Sequence, residues 1–282
     1  MRTGARRESP GGCDLHDHVA WVFDDDAEWR AAATTFVAEG IARGERVYYG
    51  ASGAVAARRD DLAELPDRDA LIASNALQIF DAGVIARASY PQRETLIRSA
   101  IDQALADGCP GVRFAVDSTN VAPGGNWDVQ AGWERRSDRM CQSLALTALC
   151  GVNRSVVGDD DVARVACVHP ATGGSGEPGT FSLFAVDGGL ALSGEIDAAV
   201  AGDLASALAH DEPSPGESVL DLSRLDFIDG RGMASIAARA DRVAAAGGLL
   251  LITGASPMAH RIWELCGFEH RQGVHMAEGL RT

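Results

Sequence analysis

Three side chains near the amino terminus are of the types that bind metal ions. Cys13 lies close to His16 and His18, and histidines at positions i and i+2 of a β-strand point to the same side of it. His18, however, opens an apolar run typical of a strand, and a histidine in such a run is more often structural. We therefore predict no metal site, and the sequence identifies no cofactor. At the start of a strand, His18 is instead a candidate for a small-ligand pocket.

A glycine-containing turn follows the apolar run Val47-Tyr48-Tyr49. A RecA-like ATPase would place G-x-x-x-x-G-K-[S/T] there, so that backbone N–H groups and the lysine hold the phosphates. Residues 50–56 are Gly-Ala-Ser-Gly-Ala-Val-Ala, and all 25 basic side chains are arginine, because the sequence contains no lysine. This excludes a Walker-type ATPase, and Ser52-Gly53 lacks the partners that a hydrolase needs. Nucleotide binding without hydrolysis stays an alternative.

The segment from Ser218 to Met233 predicts a buried strand, a tight turn and the start of a helix. Asp229-Gly230-Arg231-Gly232 is the turn, and Met233 opens the helical apolar spacing. Asp229 is typical of a helix N-cap, whose side chain accepts backbone N–H hydrogen bonds. Gly230 has no hydroxyl group and therefore cannot be phosphorylated.

The composition limits the class of protein. With 282 residues and 46% hydrophobic residues, the chain is large enough for two domains with cores. A net charge of -15 disfavours contact with phosphate backbones, so we predict no nucleic-acid binding. No apolar run reaches the roughly 18–20 residues of a membrane span. We therefore expect no membrane association and, because no apolar signal segment is present, a cytoplasmic location. The six cysteines include no CxxC pair, and in such a location they are expected to be reduced thiols.

The chain divides at residues 171–179, where Gly, Ser and Pro predict a flexible linker. Residues 1–13 are expected to form a disordered tail. Strands and helices alternate over residues 14–170, which predicts an α/β domain with a three-layer, mainly parallel sheet. Residues 180–282 predict a smaller α/β domain in the order β-β-α-β-α-β-α, with Asp197 as the N-cap of its first helix.

Residues 180–282 resemble the STAS domain, the fold of bacterial anti-sigma factor antagonists. The resemblance rests on Leu192-Ser-Gly-Glu-Ile-Asp197, on Asp-Phe-Ile-Asp-Gly-Arg-Gly over residues 226–232, and on the Leu-Leu-Leu-Ile-Thr strand at residues 249–253. The family has Asp-Ser-Ser/Thr-Gly at this turn, and a partner kinase phosphorylates the first Ser/Thr, which here is Gly230. The resemblance implies a partner-binding set of Asp197, Asp229, Gly230, Arg231, Gly232 and Met233, with no phospho-acceptor.

Residues 14–170 resemble the MEDS domain, a sensory module with a degenerate RecA-like fold and no nucleotide chemistry. The candidate ligand-pocket residues of this domain are His18, Tyr49, Tyr90 and Arg113. The matching segments are Asp17-His18, residues 36–45, residues 106–108, residues 111–113, Trp133-Glu134, Leu149-Cys150-Gly151 and His169-Pro170.

The two resemblances together imply a bacterial signalling regulator that acts in transcription control and is not an enzyme. It would bind an anti-sigma factor, a serine kinase of the histidine-kinase-like ATPase fold, under control of the sensory domain. Because Gly230 replaces the acceptor, we expect ligand binding or protein level to set the activity. The alternatives are a non-phosphorylated scaffold that assembles with other STAS proteins in a stressosome-like complex, and a small-molecule or nucleotide-binding sensor.

Overall fold

The structure is a computed structural model that describes residues 5–51, 55–119, 127–211 and 215–277. Two sheets organise these residues, one of seven strands and one of five. The elements of the N-terminal domain are β1 (Ala5–Arg7), β2 (His18–Phe23), α1 (Asp26–Ala42), β3 (Arg46–Ala51), α2 (Val55–Asp60), α3 (Arg68–Ala73), β4 (Leu77–Asp81), α4 (Ala82–Ala86), α5 (Tyr90–Ala106), β5 (Val112–Asp117), α6 (Trp127–Ser143), β6 (Leu146–Asn153), α7 (Arg154–Val157), α8 (Asp159–Cys167) and β7 (Ala171–Gly174).

The seven-stranded sheet is parallel throughout, in the order β1-β7-β2-β6-β5-β3-β4. Every residue of β2 and β3 is buried, so these strands are nearly continuous apolar runs rather than alternating ones. Such runs are expected where helices cover both faces of a parallel sheet. The predicted α/β class and the mainly parallel sheet are confirmed.

Helices cover the two faces of this sheet with separate cores. On one face, Phe36 and Val37 of α1 pack with Val19 and Tyr49. On the other face, Met140 of α6 packs with Ala148 and Cys150 of β6. Since side chains alternate along a strand, Leu149 faces α1 whereas Cys150 faces α6.

Local signals set the ends of the long helices. Asp25 caps α1 by accepting hydrogen bonds from the backbone N–H groups of Ala27 and Glu28. Gly44 follows α1 with a φ of +76°, a conformation that favours glycine. Pro91 lies in the first turn of α5, where its missing N–H costs no helical hydrogen bond.

Two segments differ from their expected conformation. Ala5–Arg7, expected to belong to a disordered tail, forms β1 and pairs with residues 171–173. Ala171–Gly174, expected to belong to the linker, forms β7 and also pairs with β2. A side chain at Gly173 would overlap the ring of Trp21, so glycine allows close packing at this position. The glycine turn expected around Ser52-Gly53 falls at residues 52–54, outside the described residues.

The C-terminal domain contains β8 (Phe181–Val186), β9 (Gly189–Ile196), α9 (Ala201–Ala209), β10 (Glu217–Ile228), α10 (Gly230–Ala245), β11 (Leu249–Thr253), α11 (Pro257–Leu265), a 3₁₀-helix (Phe268–His270) and β12 (Val274–Met276). The sheet order is β12-β11-β10-β9-β8, and only the β8–β9 pair among these described strands is antiparallel. The β8–β9 hairpin and the helices and strands that alternate after it agree with the predicted order. The structure adds β12 as a fifth strand of the sheet.

Asp197 is not the N-cap of α9, contrary to the prediction. Its carboxylate accepts hydrogen bonds from the N–H groups of Ala199 and Val200, which form a turn before the helix begins at Ala201. An aspartate that caps a turn and one that caps a helix accept the same kind of hydrogen bond, so the sequence pattern does not separate them.

Candidate functional site

Four buried polar side chains meet between the large sheet and α6. His18 opens β2, Glu134 lies on α6, Cys150 lies in β6, and His169 follows α8. One ligand-type atom from each lies within 4.8 Å of the others. Glu134 Oε2 is 3.4 Å from His18 Nε2 and 3.3 Å from His169 Nε2, and Cys150 Sγ is 3.5 Å from His18 Nε2. We call this group the His18 cluster.

Both imidazoles of the His18 cluster are oriented by a partner on their outer nitrogen. His169 Nδ1 is 2.8 Å from the carbonyl oxygen of Val165, which only accepts, so Nδ1 donates. His18 Nδ1 faces Asp138 Oδ1 at 3.4 Å. The two rings are in contact, with centroids 4.2 Å apart. The Nε2 atoms of both rings therefore point toward Glu134.

Burial and charge act in opposite directions on the acidic members of the cluster. Burial by itself raises the pKa of Glu134, but the charges of His169 and His18 lower it to about 2. Burial, and then the neighbouring Glu134 charge, raise the pKa of the Cys150 thiol well above its usual value. The protein interior thus holds a carboxylate that depends on nearby positive charge.

An apolar cavity of about 280 Å³ adjoins the His18 cluster, and Cys150 belongs to both. Its volume is close to that of pockets that hold small organic ligands. Polar groups are few among its lining residues, which include Tyr48, Phe80, Ile97, Phe114, Trp133, Met140, Ala148 and Cys150 together with Gln78, Arg93, Ser118 and Ser137.

The four residues predicted for a ligand pocket do not come together. Tyr49 lies on the opposite face of the sheet from the cavity, where its hydroxyl contacts Trp29 Nε1 at 3.2 Å and Asp61 at 3.1 Å. Its neighbour Tyr48 lines the cavity instead. Tyr90 lies beside the cavity wall, stacked on Trp133 at 6.2 Å. Only His18 belongs to the cluster.

Arg113 has a structural environment rather than a pocket position. Its guanidinium is fully buried and donates to Glu45, to Glu39 and to the carbonyl oxygen of Cys13. It also lies 4.7 Å from the centroid of the Phe36 ring. These contacts fix the amino-terminal segment against α1, which accounts for a buried arginine.

Cys13, His16 and His18, which were considered above as possible metal ligands, also do not lie together. His16 precedes β2 with a φ of +78° and contacts the carbonyl oxygen of Cys141, whereas Cys13 is buried in the α1 core. The two histidines therefore do not share one strand face. The six cysteines are thiols that form no disulfide with one another.

In the C-terminal domain, Asp229 caps α10 as predicted. Its carboxylate accepts hydrogen bonds of 2.9 Å from the N–H groups of Arg231 and Gly232. Its own N–H donates to the carbonyl oxygen of Ile196, which brings the turns at Asp197 and Asp229 side by side. Gly230 and Arg231 are exposed.

Two members of the predicted partner-binding set are not available at the surface. Met233 is fully buried in the domain core. Gly232 is also buried, and its neighbours lie so close that a side chain there would overlap Ile196 and Ile228. The helical apolar spacing that places Met233 after the turn is the same spacing that directs it inward. The exposed rim consists of Asp197, Gly230 and Arg231, with the half-buried Asp229 between them.

Exposed apolar side chains lie next to this rim. Phe227 lies two residues before Asp229, and Met258 and Leu265 project from α11. A Cβ atom at Gly230 would meet only Cys266 Sγ within 4 Å among the described residues, at 3.6 Å. Position 230 therefore has room for a side chain. We call Phe227, Met258, Leu265 and Cys266 the α11 patch.

Helix α6 belongs to both domains. Its Arg135 donates to the carbonyl oxygen of Leu183 at 2.9 Å, and its Asp138 accepts from the N–H of Ala185. Leu183 and Ala185 lie in β8, the edge strand of the small sheet. Because the other oxygen of Asp138 faces His18, one buried carboxylate joins the His18 cluster to the second domain.

The fold and these sites define a two-domain regulator with a sensory half and a signalling half. The chain belongs to the MEDS family: the family model described as "MEthanogen/methylotroph, DcmR Sensory domain" matches residues 17–170. The STAS domain model matches residues 187–280. Both are regulatory or sensory domains rather than catalytic ones. Within the described ranges, none of the helices has the length and apolar character required to cross a bilayer.

Curated proteins give no match. Among solved structures, the chain is similar to one titled "Crystal Structure of DUF1998 helicase MrfA bound to DNA and AMPPNP", at 11% identity and a TM-score of 0.34. The similarity covers 88% of this chain and 37% of that one. A likeness of this size supports no functional argument.

Proposed function

We propose that this protein is a cytoplasmic regulator of the anti-sigma factor antagonist type, whose STAS domain binds an anti-sigma factor under control of the MEDS domain. The observation that supports it is the turn at Asp229, where a helix N-terminus, an exposed acidic and basic rim and the α11 patch lie together. Mixed charge beside exposed apolar side chains is typical of a protein-binding surface.

Phosphorylation does not control this binding in our proposal. Gly230 stands where the family has its acceptor, and phosphorylation of a hydroxyl there would add about two negative charges beside the carboxylate of Asp229. Without that switch, the signal comes from the sensory domain. The cavity beside the His18 cluster is the proposed site of a small, largely apolar ligand.

Helix α6 is the proposed connection between ligand and partner. Trp133 and Met140 of α6 line the cavity, while Arg135 and Asp138 of the same helix hold β8. A ligand that displaces α6 would therefore alter the contacts at the edge of the STAS sheet. Helix α6 is thus a packed element that contacts both sites, and such elements carry coupling between distant sites.

The test is calorimetric titration of the full chain with anti-sigma kinases encoded in the same genome, with and without ATP. Tight binding that ATP does not weaken is expected. Phe227→Ser should weaken it at least about tenfold, since exposed aromatic side chains often dominate interface energy. Val156→Ser is the matched control, because Val156 is also an exposed apolar residue but lies in the sensory domain.

Gly230→Ser provides the second arm. The space around Gly230 accommodates the new side chain, so the variant should fold and become phosphorylated by the kinase, and ATP should then weaken its binding. Phosphate on the wild-type chain in an intact-mass spectrum would contradict the proposal. No binding to any candidate kinase, with large assemblies in light scattering, would favour the STAS scaffold instead.

A further inference from the structure

We propose that His18, Glu134, Cys150 and His169 together bind one transition-metal ion, of which Zn²⁺ suits the ligand set best. Two imidazole nitrogens, a thiolate sulfur and a carboxylate oxygen are ligands that Zn²⁺ commonly takes in proteins. The cluster is inside the sensory domain, away from the STAS partner rim, so this inference does not depend on the proposed partner.

Three of the distances within the cluster match edges of a zinc tetrahedron. Nitrogen and oxygen ligands at about 2.0–2.1 Å from one Zn²⁺ lie about 3.3–3.4 Å apart, and a sulfur at about 2.3 Å lies about 3.5–3.6 Å from such a nitrogen. Glu134 Oε2 is 3.4 and 3.3 Å from the two Nε2 atoms, and Cys150 Sγ is 3.5 Å from His18 Nε2.

The atoms that face each other are both acceptors. In the neutral imidazole, which is the form that binds a metal ion, His169 donates from Nδ1 to Val165 and its Nε2 presents a lone pair to Glu134 Oε2. Neither Nε2 of His169 nor Oε2 of Glu134 has a hydrogen-bond partner among the described residues, although both are buried. Two buried acceptors 3.3 Å apart repel each other unless a cation lies between them.

The surrounding contacts are those that orient metal ligands. Metal-bound histidines usually donate their other ring N–H to a carbonyl or carboxylate, which fixes the tautomer. His169 has the carbonyl of Val165 in that position, and His18 has the carboxylate of Asp138. Asp138 is in turn held by Arg135.

Charge also balances around a divalent ion. One thiolate and one carboxylate neutralise Zn²⁺, and Asp138 is neutralised separately by Arg135, so the buried site has no net charge. Cys150 lines the apolar cavity, which places the ion at its wall, within reach of a small molecule that enters.

The experiment is metal analysis of the untagged full chain, followed by replacement of the bound metal with Co²⁺. We expect about one Zn²⁺ per chain, a visible spectrum typical of tetrahedral Co²⁺ and a thiolate-to-cobalt charge-transfer band in the near ultraviolet. Cys150→Ser should abolish that band. His169→Gln should reduce bound metal to below about 0.2 per chain, because buried sites need their full ligand set.

Cys141→Ser is the matched control, since Cys141 is a buried thiol of the same cavity but not a cluster member. It should keep the full cobalt spectrum. Asp138→Asn should keep the spectrum but lower Co²⁺ affinity about 10–100-fold. A folded wild-type chain that takes up no Co²⁺, or a Cys150→Ser variant with an unchanged band, would overturn the proposal. If the variants fail to fold, the wild-type charge-transfer band alone decides it.

Discussion

Replacing Asp138 with asparagine should loosen the attachment of β8 to the sensory domain while leaving side-chain volume unchanged. Asp138 is fully buried, and its polar neighbours include Arg135 Nη1 at 3.4 Å, His18 Nδ1 at 3.4 Å and the N–H of Ala185. An amide has no charge and can accept through only one atom, so it cannot keep both the hydrogen bond from Ala185 and the contact of a carboxylate oxygen with His18.

The expected cost follows from these contacts. A hydrogen bond to a charged group contributes about 1.5–3 kcal/mol and a neutral one about 0.5–1.5 kcal/mol, so the hydrogen bonds from Ala185 and from Arg135 each lose about 1 kcal/mol. Arg135 keeps the carbonyl of Leu183 but loses its counter-charge. A total of about 3 kcal/mol is at the lower end of the range for breaking a buried ion pair.

Hydrogen exchange measured by mass spectrometry is the assay that reads this contact locally. A loss of about 3 kcal/mol corresponds to roughly 100-fold faster exchange through opening of this contact in peptides that cover β8. Asp128→Asn is the control on the same helix, because Asp128 also contacts the second domain, through Ser206, but is 68% exposed. It should cost less than about 1 kcal/mol. Unchanged β8 exchange in a folded Asp138→Asn variant would refute the reasoning.

Three further outcomes are expected. Met233→Ala should lower the free energy of unfolding in urea by about 2–5 kcal/mol because Met233 lies in the core. Arg231→Ala should leave the stability nearly unchanged. Equal effects of the two substitutions would contradict the burial of Met233. Burial raises the pKa of Cys13 and of Cys167 from 9.0 to about 11, so on raising the pH the unfolded chain loses these thiol protons before the folded chain does. The free energy of unfolding should therefore be at its full value below pH 9 and fall by up to about 1.4 kcal/mol per pH unit for each thiol toward pH 11. Cys167→Ala should reduce this slope. Cys266 is the exposed thiol of the six and should react with a thiol reagent much faster than the buried ones, and a bound partner that covers the α11 patch should slow this reaction.

The STAS turn was predictable because it is local. A strand, an N-cap and a helix follow one another within residues 218–233, and the roles of Asp229 and Gly230 depend on neighbours in sequence. The same contiguity could not separate Asp197 as a turn cap from Asp197 as a helix cap. It also could not show that Met233 turns inward, since a partner-binding residue and a core residue have the same spacing.

The His18 cluster was not predictable as a site, although each of its residues falls in a segment that resembles the MEDS pattern. His18 and His169 are far apart in sequence, and they meet only because β2 lies between β6 and β7 while α6 covers that face. The choice of Tyr49 over Tyr48 fails for a related reason. Every residue of β3 is buried, so apolar character does not tell which face a given position points to.

The prediction of a flexible linker failed at β7 because a glycine-rich composition is compatible with two different structures. Glycine at positions 173 and 174 indicates chain freedom in isolation, but in the sheet it permits the backbone to lie against Trp21. A terminal segment as short as Ala5–Arg7 has no periodicity of its own, and its strand conformation depends on pairing with β7.

The shared position of α6 affects how this protein can be divided or recombined. A fragment that ends at residue 170 would lack β7 and leave the β2 edge unpaired, and a fragment that begins at residue 180 would uncover β8. Sensory and output domains of bacterial regulators are often regarded as exchangeable modules. Here a graft of the STAS domain onto another sensor would require a helix that supplies the groups of Arg135 and Asp138, so the two domains have to be moved together with α6.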